Sequence, residues 1–198
     1  MKKFKFKEKL DGERIYLKKH DVTLAQTMFD YVDKDRERLS RFLAWVDFTK
    51  TVQDEINYIK HTHECWDNGN LFDYGIYRKD DDEYLGNCGV HTIRWDHDCC
   101  ELGYWILGDF EGQGFMSESV RILERYLFSE GFNRVQIRCS DLNGRSENVP
   151  ANKRFYSFLF AKRKTRKNYR TLATCAVGPS LYYSLYSDVL ISSLWRSA

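Results

Sequence analysis

The fold turns on the succession Glu101-Leu102-Gly103-Tyr104-Trp105-Ile106, followed by Glu111-Gly112-Gln113-Gly114-Phe115-Met116-Ser117. The first part reads as a strand, and the second places two glycines ahead of a helical stripe, Met116, Val120, Leu123 and Leu127. Glycine lets a backbone turn sharply and approach a ligand, because no Cβ intervenes. The first turn of a helix leaves N–H groups without intrahelical acceptors, and the helix dipole adds partial positive charge there. Strand, glycine loop and helix N-terminus together form a cradle for phosphate or pyrophosphate, although the same residues also suit a plain strand-to-helix turn. Spacing removes two nucleotide loops. A Walker A loop ends in Gly-Lys-Ser/Thr, and no lysine stands here; a dinucleotide fingerprint needs three glycines early in the chain, and only two occur, late.

Around this centre the chain alternates helical and extended patterns. Arg14 to Lys18 reads as an entry strand, and Asp21 can cap a helix with the stripe Leu24, Met28 and Val32, widened by Ala25 and Phe29. A short helical stretch from Arg36 to Leu43 leads into Ala44-Trp45-Val46-Asp47. Thr51 and Asp54 form a capping box for a third helix, with Val52, Ile56, Ile59 and Trp66 inward. Phe72, Tyr74 and Ile76 alternate as a strand, Asp80 to Glu83 reads as a turn, and Tyr84 to Trp95 as another strand. Gly131 suits a helix stop, Val135, Ile137 and Cys139 alternate, a polar loop runs from Asp141 to Ser146, and an aromatic strand closes near Leu181 to Leu185. This is a mixed α/β pattern in one domain, with no repeat and no linker.

The 198 residues are 42% hydrophobic and 16% aromatic, which excludes disorder as the overall state. With 31 basic against 29 acidic residues, nucleic acid is not the default partner. No apolar run reaches the roughly 20 residues a membrane span needs, and the basic start lacks a signal-peptide core. Six cysteines without framework spacing then read as free thiols in a reducing cytoplasm.

The loop resembles the pyrophosphate-binding motif of the GNAT acetyltransferases: Gln/Arg, two variable residues, Gly, one variable residue, Gly/Ala. Glu111 stands at its first position, Gly114 at the central glycine and Met116 at the last. Glu101 to Ile106 is similar to the preceding strand of the RimJ/RimL branch, the N-terminal acetyltransferases of ribosomal proteins. Arg14-Ile15-Tyr16-Leu17, Leu43 to Asp47, Asn133-Arg134-Val135, Ile137-Arg138-Cys139, Asn143-Gly144-Arg145-Ser146, Val149-Pro150 and Tyr182 to Leu185 extend the resemblance over about residues 12–187. It departs after Lys153, where the glycine of the family's usual Leu-Gly-Phe is missing and the segment to Pro179 has no clear counterpart.

The resemblance implies one GNAT domain over residues 1–198, with a mostly antiparallel, splayed sheet flanked by helices. It implies acetyl-CoA as donor, no metal, and an amine acceptor, above all the N-terminal α-amine of a protein or peptide such as a ribosomal protein. Ribosome association and a homodimer are implied partners. A small-molecule amine acetyltransferase and a lapsed GNAT module that binds RNA or the ribosome are the alternatives. Pyrophosphate would rest on Glu111, Gly112, Gln113, Gly114, Phe115, Met116 and Ser117. The pantetheine arm would pair with Tyr104, Trp105 and Ile106 by strand addition, with Asn143 a further cofactor contact. An N–H of that strand would polarise the thioester carbonyl.

By the same resemblance Ser146 is the candidate beside the leaving sulfur, although serine there also suits a helix cap. Tyr156 is the rival proton donor or else a packed ring. Glu101 is the candidate base or else a solvated strand-end carboxylate, and Arg41, Trp45 and His91 are candidates for the acceptor side. Forming the neutral amine at pH 7 costs a lysine roughly 3.5 kcal/mol more than an α-amine. A site without an obvious strong base therefore suits an α-amine.

Two His/Cys clusters, His61 to Cys65 and His97 to Cys100, lack the paired spacing of a zinc site. The basic block Lys162 to Arg170 reads as a solvated strand or a phosphate contact, and the lysines of the first nine residues as a frayed terminus.

Overall fold

The computed structural model describes residues 5–140, 142–150, 156–158 and 169–175, the last two segments by their backbone pairing. Strands β1 (Lys9–Asp11) and β2 (Ile15–Lys19) open the chain, followed by helices α1 (Ala25–Lys34), α2 (Arg36–Ser40) and α3 (Val52–Asp67). Strands β3 (Phe72–Arg78), β4 (Tyr84–Arg94) and β5 (Cys99–Ile106) come next, then α4 (Phe115–Ser129), β6 (Arg134–Ser140), α5 (Gly144–Asn148), β7 (Tyr156–Phe158) and β8 (Tyr169–Cys175). They build one sheet in the order β1-β2-β3-β4-β5-β6-β8-β7. Every neighbouring pair is antiparallel except β5 and β6. The expected mixed α/β architecture with a mostly antiparallel sheet is the one observed.

Side-chain alternation divides the core. Cys100, Leu102 and Ile106 of β5 pack with Met116, Val120, Leu123 and Leu127 of α4 on one face. Trp105 faces the other way and packs with Met28 and Val32 of α1, Val46, and Ile59 of α3. Glu101, Gly103 and Trp105 thus line the face covered by α1 and α3, and Tyr104 the face covered by α4.

The helix starts follow the local chemistry. Asp21 caps a single turn, Val22–Leu24, by accepting from Thr23 N–H, and the turn runs into α1. Thr51 and Asp54 form the expected capping box of α3. Its buried stripe is Glu55, Ile59, Thr62 and Trp66, a rotation from the stripe read from the apolar residues alone.

Other expectations are corrected. The chain start is not a frayed end where it is described: Phe6 is buried and stacks on Phe72 at 3.7 Å. An N-terminal aromatic covers core that the short β1 alone would leave wet. The second helix ends at Ser40, and Ala44–Asp47 forms a separate turn held by a 2.7 Å bond from Arg36 Nη1 to Val46 O. The strand at Leu181 to Leu185 lies outside the described residues.

The sheet is tied to α4 by one carboxylate. Glu118 Oε1 accepts from the backbone N–H groups of Glu13 and Arg14 at 2.9 and 2.8 Å, and Oε2 from Arg14 Nε at 3.0 Å. Burial would raise this carboxyl, but these donors outweigh burial and hold it below the usual glutamate range. Its stabilisation is therefore present at neutral pH and is lost as pH falls through that lowered value. Glu118→Gln should cost about 2 kcal/mol at neutral pH. Urea melts from about pH 7 down to about pH 3.5 should show the gap to the native chain closing.

Candidate active site

Strands β5 and β6 pair through only four residues each, from Cys99 opposite Arg134 to Leu102 opposite Ile137. Beyond that point β5 stays paired with β4 and β6 with β8, each on its outer edge only. The two parallel strands part, and a wedge opens in the sheet. Leu107 N–H donates to Leu85 O at 3.0 Å, so antiparallel alternation turns the odd-numbered peptide groups of β5 toward β4. The N–H and C=O of Tyr104 consequently face the wedge, an unpaired strand edge inside the molecule.

The glycine loop closes one end of the wedge. Gly112 and Gly114 have φ of +75° and +81°, a region costly for residues with a Cβ. Gly114 is the N-cap of α4 and supplies no capping side chain. A Cβ there would come 3.3 Å from Arg14 Nη2, while one on Gly112 would meet nothing. Gly114 O accepts the first intrahelical bond, from Glu118 N–H at 3.0 Å. Phe115, Met116 and Ser117 therefore form the uncapped first turn, whose N–H groups precede that bond. Arg14 Nη1 pins Gln113 O at 3.0 Å, and Ser117 Oγ donates to Val149 O at 3.1 Å.

Glu111 brings a negative charge to this end, and two arginines meet it. Arg38 Nη1 bonds Glu111 Oε1 at 2.5 Å, and Arg145 Nη1 bonds Oε2. Arg38 also pairs with Asp35 and donates to Ile106 O at 2.7 Å, while Asp35 accepts from Gly108 N–H at 2.8 Å. Burial would raise Asp35, but Arg38 and the Gly108 amide hold it below the usual carboxylate range. The α1–α2 junction thereby clamps the end of β5, and the Arg145–Glu111 pair spans the two lips of the wedge.

The opposite lip is α5. Asn143 is its N-cap, accepting from Ser146 N–H at 3.2 Å, so the capping role falls to Asn143 and not to Ser146. Tyr104 Oη donates to Ser146 O at 3.0 Å across the wedge. Burial pushes the Tyr104 phenol far above its usual range and keeps it a donor. Ser146 Oγ makes no hydrogen bond among the described residues, and the side chain is half-buried beside the gap.

Glu101 lies below the splay, opposite His91 on β4 and Gln136 on β6. It is buried, pairs with Arg138 Nε at 2.7 Å and accepts from Gln136 Nε2 at 3.1 Å. It is not a solvated strand end, and its carboxylate is already engaged. His91 is lowered by burial, against the pull of Glu101, so its ring is neutral near pH 7. Tyr156 aligns with Ala173, which aligns with Gln136, so β6 and β8 separate its backbone from β5. Three strand spacings amount to about 14 Å. Trp45 packs on Trp105 at 6.0 Å, near the C-terminal end of β5. In the basic block, Tyr169 and Arg170 begin β8, and the rest lies outside the described residues.

Sequence reasoning missed the polar cluster beneath α3. Asp73 accepts from Tyr58 Oη at 2.8 Å and Asn87 Nδ2 at 3.0 Å and pairs with His20 Nε2 at 2.9 Å. Tyr84 Oη donates to Asn87 Oδ1. The only signal was the break each polar residue makes in an apolar alternation. No group of three or more His, Cys, Asp or Glu among the described residues is placed to hold a metal ion.

Residues 14–155 match the family described as acetyltransferase (GNAT) domain. The Bacillus subtilis protein YdaF, whose name assigns it provisionally to the ribosomal N-acetyltransferases, is 35% identical over 144 residues, 70% of this chain and 76% of its own. The uncharacterized N-acetyltransferase p20 of Bacillus licheniformis is 28% identical over 82% of this chain and 87% of its own. A RimL ribosomal L7/L12 α-N-protein acetyltransferase, solved with coenzyme A, superposes with a TM-score of 0.76 at 20% identity, covering 85% of this chain and 98% of that one. With a splayed sheet, an uncapped glycine loop and a family match over most of its length, the chain belongs to the GNAT acetyltransferases.

Proposed function

We propose that the protein transfers the acetyl group of acetyl-CoA to the N-terminal α-amine of a protein or peptide, a ribosomal protein being the leading class. The observation that carries this reading is the wedge between β5 and β6, with an unpaired Tyr104 edge on one wall and the uncapped turn of α4 at its mouth. An extended, amide-bearing pantetheine can add to that edge as a strand, and a pyrophosphate suits the free N–H groups of Gln113 to Ser117. The names of the ribosomal-protein-modifying relatives support the α-amine.

In this reading Tyr104 N–H polarises the thioester carbonyl, and Ser146 Oγ gives its proton to the departing thiolate. Ser146 is preferred to Tyr156 because its hydroxyl is uncommitted and α5 borders the wedge. Glu101, held by Arg138 and Gln136, positions the floor of the acceptor side. Asn143 fixes Ser146 through its backbone cap and touches cofactor only from the rim.

Glu111 sits where a phosphate would approach, so its charge opposes binding until Arg145 turns from it to the ligand. Glu111→Gln should tighten acetyl-CoA about fivefold, one surface charge interaction, in calorimetric titration, and Arg145→Ala should weaken it by a similar factor. Ser146→Ala should lower kcat about 100-fold with acetyl-CoA affinity unchanged, and an unaltered kcat would remove it from the chemistry. The acceptor is tested by mass shift on peptides with free or blocked N-termini. Acetylation of free N-termini alone supports the reading; acetyl-CoA binding without transfer to any amine would make the chain a binding module.

A further inference from the structure

Under α3 two paired glycines let polar side chains lie directly on the sheet. Gly89 of β4 and Gly103 of β5 are directly paired, and Asp73 of β3 is the partner of Gly89 on its other side. The Asp73 carboxylate lies over Gly89, occupying the space a Cβ would need. The His91 ring lies over Gly103, its Nε2 2.8 Å from where a Cβ would stand. Gly103 is half-exposed and is followed by Tyr104, whose peptide group faces the wedge. Asp73 and His91 thus stand on the face of the sheet that carries α1 and α3, next in the register to the Gly103–Tyr104 step.

Glu55 stands on the sheet-facing stripe of α3, within electrostatic reach of Asp73, Tyr58 and Tyr84. It is 4% exposed, yet its carboxylate makes no hydrogen bond among the described residues. The nearby donors are spent elsewhere: Tyr58 Oη, Asn87 Nδ2 and His20 Nε2 address Asp73, and Tyr84 Oη addresses Asn87. The little exposure the residue keeps leaves the Glu55 oxygens open to solvent, so a guest that brings donors can reach them. What two neighbouring carboxylates lack is a cation with several N–H groups, which is what an ammonium supplies.

We propose that Glu55 and Asp73 bind the acceptor's ammonium and that Glu55 takes the proton it must lose before attack. This rests on the acetyltransferase reading and names the catalytic base that the engaged Glu101 leaves open. The balance is simple. One proton of the ammonium passes to the Glu55 carboxylate, and the freed lone pair forms the C–N bond at the thioester carbon. The C–S bond breaks, a second N–H proton ends on the CoA thiolate, and Glu55 returns its proton to water.

The electrostatics match the task. Burial, then the negative charge of Asp73, then that of Asp54 push Glu55 up to about 7. Tyr58 and Tyr84, the other titratable groups facing it, are raised far above their usual range by burial and stay neutral. An α-amine titrates near 7.8 and lysine near 10.4, so Glu55 lies within about one unit of the first and more than three below the second. A base of that strength suits an α-amine better than a lysine.

The test is Glu55→Gln, measured as kcat/KM against pH with a free-amine tripeptide amide. The native protein should give a bell, rising with Glu55 ionisation near 7 and falling as the ammonium titrates near about 8. Glu55→Gln should be about 100-fold slower at pH 7, with the deficit shrinking as pH rises and free amine accumulates. Its thermal midpoint should hold or rise and its acetyl-CoA affinity stay unchanged, because the lost carboxyl supports no contact. Native kcat/KM in Glu55→Gln, or the same bell merely scaled down, overturns the proposal. Should that variant misfold, Glu55→Asp keeps the carboxylate and should retain the bell at lower kcat; loss of the bell there also overturns it. A second arm titrates the tripeptide amide and its N-acetylated twin into CoA-loaded protein. The free amine should bind the native protein at least tenfold more tightly than Glu55→Gln, and equal affinities overturn the proposal even if no amine is turned over. Absent turnover with intact Glu55-dependent binding would instead remove the acetyl-transfer reading.

Discussion

Strand β5 is bonded to β4 along most of its length but to β6 only as far as Leu102, and the candidate site is a consequence of that inequality. Parallel strands that pair fully leave no free backbone between them. Here the parting of β5 and β6 exposes the Tyr104 peptide group without exposing an outer edge, so the opening invites an extended guest and not another sheet. The α4 start, the α5 lip and the Gly89–Gly103 floor acquire chemical meaning from their places around it. The parting is kept open by bonds that cross it without closing it, Tyr104 to Ser146 O on one side and Arg145 to Glu111 on the other.

Charge is distributed unevenly across the wedge. At its mouth Arg14, Arg38 and Arg145 are matched in number by Glu118, Asp35 and Glu111, so the positive end that suits an anionic cofactor is the uncapped first turn of α4. The face under α3 carries Glu55, Asp73 and Glu101, with Arg138 paired to Glu101 and His20 paired to Asp73 among the described residues. In the proposed reaction the donor would enter at the α4 end and the acceptor from the face that carries α1 and α3. Such an arrangement separates donor from acceptor by electrostatics as well as by shape.

Much of this was legible in the residues. Thr51 and Asp54 announced the α3 cap, and the stripe Met116, Val120, Leu123 and Leu127 announced α4. The two glycines of the loop carried the phosphate argument by backbone chemistry alone, and both take the left-handed conformation. What stayed hidden depends on long-range pairing. Glu55 stands at inward helical spacing from Ile59, Thr62 and Trp66, but a glutamate in a stripe is read as surface because burial without a partner is rare. Asp73 lies among alternating aromatics, and only the sheet register brings it over Gly89. Glu111 and Arg38 are 73 residues apart, a contact no local pattern encodes. Ser146 and Asn143 were both singled out, yet which of them caps α5 is decided by backbone geometry.

The central claim is that the wedge and the uncapped α4 turn receive acetyl-CoA as a strand and a pyrophosphate. Backbone hydrogen–deuterium exchange with and without acetyl-CoA tests it most directly, since it reads the amides themselves. The account predicts protection confined chiefly to peptides spanning residues 103–107 and 112–118, with the tip of α5 slowed as well. Binding that leaves both segments exchanging as in the free protein, with protection elsewhere, would contradict it.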